Sequence, residues 1–420
     1  MLSSARLIGL GCCIFVCSLL SSSKADAFCG FYVAGGESGL FNDATQVVLM
    51  RNGSTTILSM QNNYQGPLED FAMVIPVENV LAQTNVKTLD ASLFQKIDTL
   101  TAPRLVEYWE RDPCLPVEQM EPEMASAGTA EDSATDDGGV VVEAQFSVGE
   151  YDIVILSAND STGLETWLTT NNYNIPAGAQ QHFEPYVTGG MKFFVAKVDI
   201  TKVEITDGNA VLSPLRIEMA STTDFRLPIK LGLINSSGSQ DLLVYTLGVG
   251  QRFELSNRPN VVIPTNIQVV NEVRDDFGAF YRSLFDETVE QNPGAAVTEY
   301  SWDASTCDPC PGPMLTQEDF MTLGADVLNT GEWVQWVITR LHLRYDSTSI
   351  GDDLVFAEAD PIVGGRERYT EDNVLESGAT ANSYNNFQGR YIIRHAWDGA
   401  VQCDDPQYGM WGGPEGSTSP

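Results

Sequence analysis

Apolar and polar positions change period several times along this chain, and each change marks an element. Residues 45–50 and 54–60 are apolar-rich runs on either side of Arg51-Asn52-Gly53, a turn signal that predicts a β-hairpin. Residues 71–77 read as an apolar strand containing Pro76. Leu93, Phe94, Ile97 and Leu100 recur at helical spacing behind Asp90, whose carboxylate can cap the first turn. Residues 105–109 read as a second short helix. Residues 140–148 and 151–156 alternate with period two around Gly149-Glu150, a second hairpin. A helix around 164–171 follows, with Ser161 as its cap. Residues 191–200, 212–217, 226–234 and 241–247 read as strands, with Ser236-Ser237-Gly238 as a turn. Residues 273–285 are helical, 333–343 fit either period, and 391–395 form a late strand. The fold class is therefore α+β: mainly antiparallel sheet with packing helices.

The order of these pieces repeats. Val74-Ile75-Pro76-Val77, a helix with Leu93-Phe94, Val106-Glu107-Tyr108-Trp109 and Asp112-Pro113-Cys114 come first. Val262-Ile263-Pro264-Thr265, a helix with Leu284-Phe285, Thr298-Glu299-Tyr300-Ser301-Trp302 and Asp308-Pro309-Cys310 come second. Two duplicated units are one reading; chance similarity among common residues is the other. Between the two segments, residues 118–139 are acidic and almost free of bulky side chains. Such a stretch cannot bury enough surface to order itself. The expected organisation is a first α+β unit at 28–117, an acidic disordered loop at 118–139, a larger α+β region at 140–411 and a flexible tail at 412–420.

The start of the chain sets the compartment. Arg6 precedes an apolar run at 7–20, and Ala25-Asp26-Ala27 supplies a small-residue cleavage site. That is a signal peptide at 1–27, too short to span a bilayer, and no transmembrane segment is expected in the mature chain. The product is expected in the periplasm or outside the cell.

Charge narrows the partners. Asp and Glu number 57 against 23 Lys and Arg, a formal net charge of −34. A field of that sign repels nucleic acid and anionic headgroups. No Asp-rich loop matches a calcium-binding template, so the acidity reads as a solubility device. Five cysteines follow the signal: Cys29, Cys114, Cys307, Cys310 and Cys403. In an oxidising compartment they are disulfide candidates, with one left over. A bond from Cys29 to Cys403 would tie the two ends together. Cys307 and Cys310 form a C-x-x-C. A redox dithiol of this kind usually opens a helix after a strand, whereas Pro311 and Pro313 follow here. Zinc would need a second pair. A structural disulfide is the favoured reading.

Several stretches together resemble an uncharacterised bacterial envelope family, domain of unknown function 2330. They are Phe28-Cys29-Gly30-Phe31 after the signal, Phe71-Ala72-Met73-Val74-Ile75-Pro76-Val77, and Leu164-Glu165-Thr166-Trp167-Leu168 leading into Asn172-Tyr173-Asn174-Ile175-Pro176. Leu227-Pro228-Ile229, Asp241-Leu242-Leu243-Val244-Tyr245, Arg340-Leu341-His342-Leu343-Arg344-Tyr345 and Tyr391-Ile392-Ile393-Arg394-His395 add to them. The resemblance implies export and brings no established activity. Relatives often place a second Cys soon after the first, where this chain has Tyr32-Val33-Ala34; this points to Cys29 as the unpaired thiol.

Catalytic sets are hard to find. There is no H-E-x-x-H, P-loop or dinucleotide fingerprint, and Gly35-Gly36-Glu37-Ser38-Gly39 has the wrong spacing for a nucleophile elbow. His342 and His395 each stand beside an arginine in an apolar segment. They are the speculative acid/base pair if they converge in space, and hydrogen-bonded sheet residues otherwise. No metal set and no cofactor are expected. The expected function is a non-enzymatic, disulfide-stabilised binding or envelope-associated protein, its partner an unknown small molecule or envelope component. The alternatives are a hydrolase using His342 or His395 and a thiol-disulfide protein using Cys307 and Cys310.

Overall fold

The computed structural model describes residues 31–33, 41–65, 72–114, 142–171, 179–206, 209–220, 224–235, 239–308, 310–328, 330, 334–346, 348–366 and 376–412. Residues 1–27, Cys29, the 118–139 stretch, residues 236–238 and residues 413–420 lie outside them.

Two sheets packed face to face form the body. The larger has eleven strands, and its middle runs in the order Ala296–Asp303, Trp336–Tyr345, Gln240–Val249, Phe41–Asn52, Thr55–Gln65 and Leu215–Ala220. Gln240–Val249 and Phe41–Asn52 are parallel; the other neighbours along this run are antiparallel. Val47, Val48, Leu49 and Met50 are each no more than 1% exposed. A strand sealed on both faces reads as a continuous apolar run, which is what residues 47–50 are. Val47 and Leu49 point into the core between the sheets, beside Ile75, Ile153, Ile155 and Phe194 of the second sheet. Val48 and Met50 face the other way, onto Leu93, Phe94, Ile97 and Leu100 of the helix Ala91–Thr101. Asp90 caps that helix as expected, its carboxylate accepting from the Ser92 N–H at 2.8 Å.

The second sheet has five strands in the order Phe31–Val33, Ala72–Val77, Lys192–Val198, Tyr151–Ser157 and Val142–Val148, all antiparallel. The helices Ser161–Thr170 and Gln180–Thr188 cover its outer face through Leu164, Leu168, Phe183 and Tyr186. The layers are thus helix, sheet, sheet, helix. Strands from before and after residues 115–141 pair in the two large sheets and in a four-stranded one. Among the described residues no helix is long and apolar enough to cross a membrane.

Both hairpins form as the pattern predicts, with Gly53 and Gly149 each at φ +55° in their turns. Three local expectations are corrected. Residues 105–109 are not helical: Arg104–Glu110 is a strand, parallel to Arg390–His395 and antiparallel to Trp411–Gly412. The spacing of Leu105, Tyr108 and Trp109 suits a helix, but pairing with a strand far downstream overrides it. The cap of Ser161–Thr170 is Asp160, which accepts from the Gly163 N–H at 2.7 Å. Ser161 is the first helical residue, and its hydroxyl donates to Glu184 of the neighbouring helix. Only Arg226 and Leu227 of the stretch 226–234 lie in a strand, Phe225–Leu227; Lys230–Asn235 is a 3-10 turn. The ambiguous 333–343 segment resolves into the strand Trp336–Tyr345.

The two echoing segments share the order strand, helix, strand but not their placement. Ala72–Val77 and Arg104–Glu110 join two different sheets, whereas Asn260–Val262 and Ala296–Asp303 pair with each other. Their cysteines also differ. Cys114 bonds Cys403, and Cys307 bonds Cys310. The Cys29–Cys403 bond is therefore not made; Cys403 fastens the chain end to the four-stranded sheet through Cys114 instead. Closing a loop of 289 residues stabilises the fold by about 5 kcal/mol on the chain-entropy view, against about 2 kcal/mol for a bond between near neighbours.

Candidate functional site

Among the described residues, a concavity lies where the two large sheets meet a three-stranded sheet of Phe225–Leu227, Leu354–Ala359 and Arg252–Leu255. It is a cleft of about 680 Å³. Pro76 and Glu78 contribute from the end of Ala72–Val77, Tyr186 and Met191 from around the end of Gln180–Thr188, and Met219 from Leu215–Ala220. Asp224, Arg226, Pro228, Lys230, Asp352, Asp353 and Val355 complete the opposite wall. Tyr186 ties the walls together: its hydroxyl donates to Asp353 Oδ1 at 2.7 Å and accepts from the Lys230 N–H at 3.3 Å. Asp353 also accepts from the Ile229 N–H at 3.0 Å, so its carboxylate is used in bracing. Asp224 pairs with Arg226, and Asp352 with Lys230 at 3.1 Å. Four carboxylates stand against two cations on a lining about as polar as it is apolar.

The two histidines named from sequence do not converge. His342 lies on Trp336–Tyr345, where Arg340, His342 and Arg344 share one face by the period of two. Glu299 meets them from the neighbouring strand. It sits at a register shift between Thr298 and Tyr300, a β-bulge. Such an extra residue re-aims a side chain, and here it points Glu299 between Arg340 and His342. Its carboxylate is fully buried and accepts from Arg340 Nε at 2.6 Å and from the Tyr281 hydroxyl, and it lies 2.8 Å from His342 Nδ1. Arg340 also reaches Asp98 at 2.5 Å, and Tyr245 donates to Asp98 at 2.9 Å. Asp241, cross-strand from Arg344, takes that guanidinium in two bonds of 2.8 and 2.9 Å.

Burial pushes the Glu299 carboxyl upward, but His342 and Arg340 outweigh it and hold the group at about 2. Burial likewise works against the His342 charge, and Glu299 with Asp241 reverses it, so the imidazole is raised above its ordinary value. Phe285 stacks on His342 with ring centroids 3.7 Å apart. The helix Phe277–Gln291 that carries Phe285 and Tyr281 thus closes the network over. This is a largely buried ion ladder, with the His342 side chain 15% exposed.

His395 has different partners. It stacks on Trp109 at 4.7 Å, and its Nε2 lies 2.7 Å from Glu107 Oε2. Arg274 also binds Glu107. The imidazole is about one-fifth exposed at the C-terminal end of Arg390–His395, an interior strand of the four-stranded sheet. Among the described residues no group of three or more His, Cys, Asp or Glu is placed to hold a metal ion.

Sequence reading missed Glu299 and Asp241. The alternation Arg340-x-His342-x-Arg344 was the available signal, since three basic residues on one strand face need acids opposite. It also missed the cleft, whose walls come from segments scattered between Pro76 and Val355; no local pattern marks them.

No curated protein and no solved structure matches the chain. One family model does, described as an uncharacterized protein conserved in bacteria, domain of unknown function 2330, over residues 23–357. The match ends before Tyr391–His395, so that stretch carries none of the likeness. It takes in the cleft, the ion ladder, the five-stranded sheet and the middle of the eleven-stranded one, and the chain belongs to this family.

Proposed function

We propose that the chain is an exported, non-enzymatic binding protein and that the cleft between the sheets is its ligand site. The observation that carries this reading is the cleft itself: about 680 Å³, lined by Met219 and Pro228 together with Glu78, Asp224 and Asp352. A concave apolar surface with a few convergent polar groups is the usual form of a small-molecule site. The excess of carboxylates favours a ligand with a cationic or hydrogen-bond-donating end and an apolar body, such as a polyamine or a short basic peptide. The export signal read from residues 1–27 and the two disulfides support work in an oxidising compartment.

Titration calorimetry of the full chain against polyamines and short basic peptides tests this. Binding in the micromolar range is expected. Val355→Trp, which fills one wall, should weaken it at least tenfold, and Asp224→Asn several-fold. Affinity untouched by both variants would refute the site, and no binding across the panel would refute the ligand class.

A further inference from the structure

The Cys307–Cys310 bond does little for the fold, yet its surroundings are unusual for so acidic a chain. Cys310 is exposed, while Cys307 is half-buried against the core that holds Trp302 and Leu315. Asp308 stands between them in sequence. Its carbonyl accepts from Gln388 Nε2 at 2.8 Å, and its carboxylate binds Arg366 at 2.5 Å. The Arg366 guanidinium also lies 5.2 Å from the ring of Trp302, against whose cluster Cys307 packs. The Arg104 guanidinium lies 5.8 Å from the ring of Tyr300, which in turn stacks on Trp302. Arg390 is paired in register with Arg104 on the neighbouring strand, and both are more than nine-tenths buried. The Arg390 Nε is buried and makes no hydrogen bond among the described residues. Asp303, the other acid of this neighbourhood, is taken up by Gln335 at 2.7 Å and by Ser305. Among the described residues, three guanidiniums therefore stand in the neighbourhood of Asp303 and Asp308, in a chain of net charge −34.

We propose that Cys307–Cys310 is a redox-active disulfide that exchanges with thiols of other molecules, its reduced form favoured by the Arg366, Arg104 and Arg390 cluster. The thiolate is the reactive and the leaving form, and nearby cations stabilise it. Elsewhere a helix N-terminus supplies that positive field; here guanidiniums supply it, which is why the prolines after Cys310 are no obstacle. A thiolate of a partner dithiol attacks the exposed Cys310 sulfur. The Cys307–Cys310 bond breaks, Cys307 leaves as a thiolate, and a mixed disulfide joins Cys310 to the partner. The partner's second thiolate then attacks its own sulfur in that mixed disulfide, and Cys310 leaves. The partner loses two electrons and two protons in forming its disulfide, and Cys307 and Cys310 gain them. The partner class is a dithiol, on another exported protein or on a small molecule. This inference is independent of the cleft.

The test is equilibration of the full folded chain in graded glutathione buffers, followed by acid quenching, maleimide tagging and peptide mass spectrometry. Cys307–Cys310 is expected to open at a ratio of reduced to oxidised glutathione at least tenfold lower than Cys114–Cys403 needs, with the fold retained. Arg366→Ala should make the bond at least threefold harder to reduce, Arg366→Lys should restore it in part, and Asp308→Asn should make it easier. A clip with a purely structural role would open together with Cys114–Cys403 on unfolding, or would ignore the charge changes. Either result overturns the proposal. Parallel dithiothreitol and glutathione titrations separate protein-type dithiols from monothiols as preferred reductants.

Discussion

Replacing Glu299 by Gln removes one charge and keeps the side-chain shape. The carboxylate is fully buried and meets Arg340, His342 and Tyr281. The amide can still accept one hydrogen bond, but its NH2 end faces donors, and two cations lose their common anion. Breaking a buried pair on one side costs about 3–5 kcal/mol. The fall of this carboxyl from 4.5 to about 2 converts to about 3 kcal/mol, which agrees. The pH dependence has two limbs. Glu299 is lowered in the folded state, so its contribution is present above the unfolded value and lost as pH falls toward about 2. His342 is raised, so its contribution is present below 6.5 and lost as pH rises through the folded value. Urea unfolding of the natural chain should therefore show its greatest stability from this network between about pH 5 and 6.5. In Glu299→Gln, stability at pH 6 should drop by about 3 kcal/mol, and the alkaline limb should flatten because the partner that raises His342 is gone. A loss under about 1 kcal/mol, or an unchanged profile between pH 6 and 9, would refute the account of the ladder.

Other perturbations probe other levels of the structure. Asp90→Ala removes the cap of Ala91–Thr101 and should cost about 1 kcal/mol in the same assay. Gly324 sits at φ +139°, where a Cβ would come within 2.7 Å of Ile57, so Gly324→Ala should cost about 3 kcal/mol through strain and crowding. Joint replacement of Cys114 and Cys403 by Ser should cost about 2–5 kcal/mol, more than the same change at Cys307 and Cys310, measured by thermal unfolding under oxidising conditions.

The ladder and the cleft divide the work between them. Arg340, His342 and Arg344 are locked by acids and roofed by Phe277–Gln291, so their charges fix the register of neighbouring strands and hold the helix down. The cleft lies at a junction of sheets, braced by Tyr186 and Asp353. Histidines beside arginines drew attention in the sequence as chemistry. In the fold each is engaged by an acid, His342 by Glu299 and His395 by Glu107, and the quieter residues around Met219 and Asp224 become the candidates for binding.

What the sequence determined by itself was local. Asp90 and its helix, the turns at Gly53 and Gly149, and the twice-buried run at 47–50 are legible because capping, positive φ and apolar periodicity act over a few residues. The sheet-rich α+β class follows from adding such pieces together, and family membership from many short stretches at once. Tertiary structure decided everything that depends on a distant partner. Residues 105–109 became a strand only because 390–395 lay beside them, and Cys403 chose Cys114 because the four-stranded sheet brings the two together. Glu299 became an ion-ladder residue because a bulge turned it between Arg340 and His342. Long-range pairing is a property of where strands meet, and no window along the chain contains it.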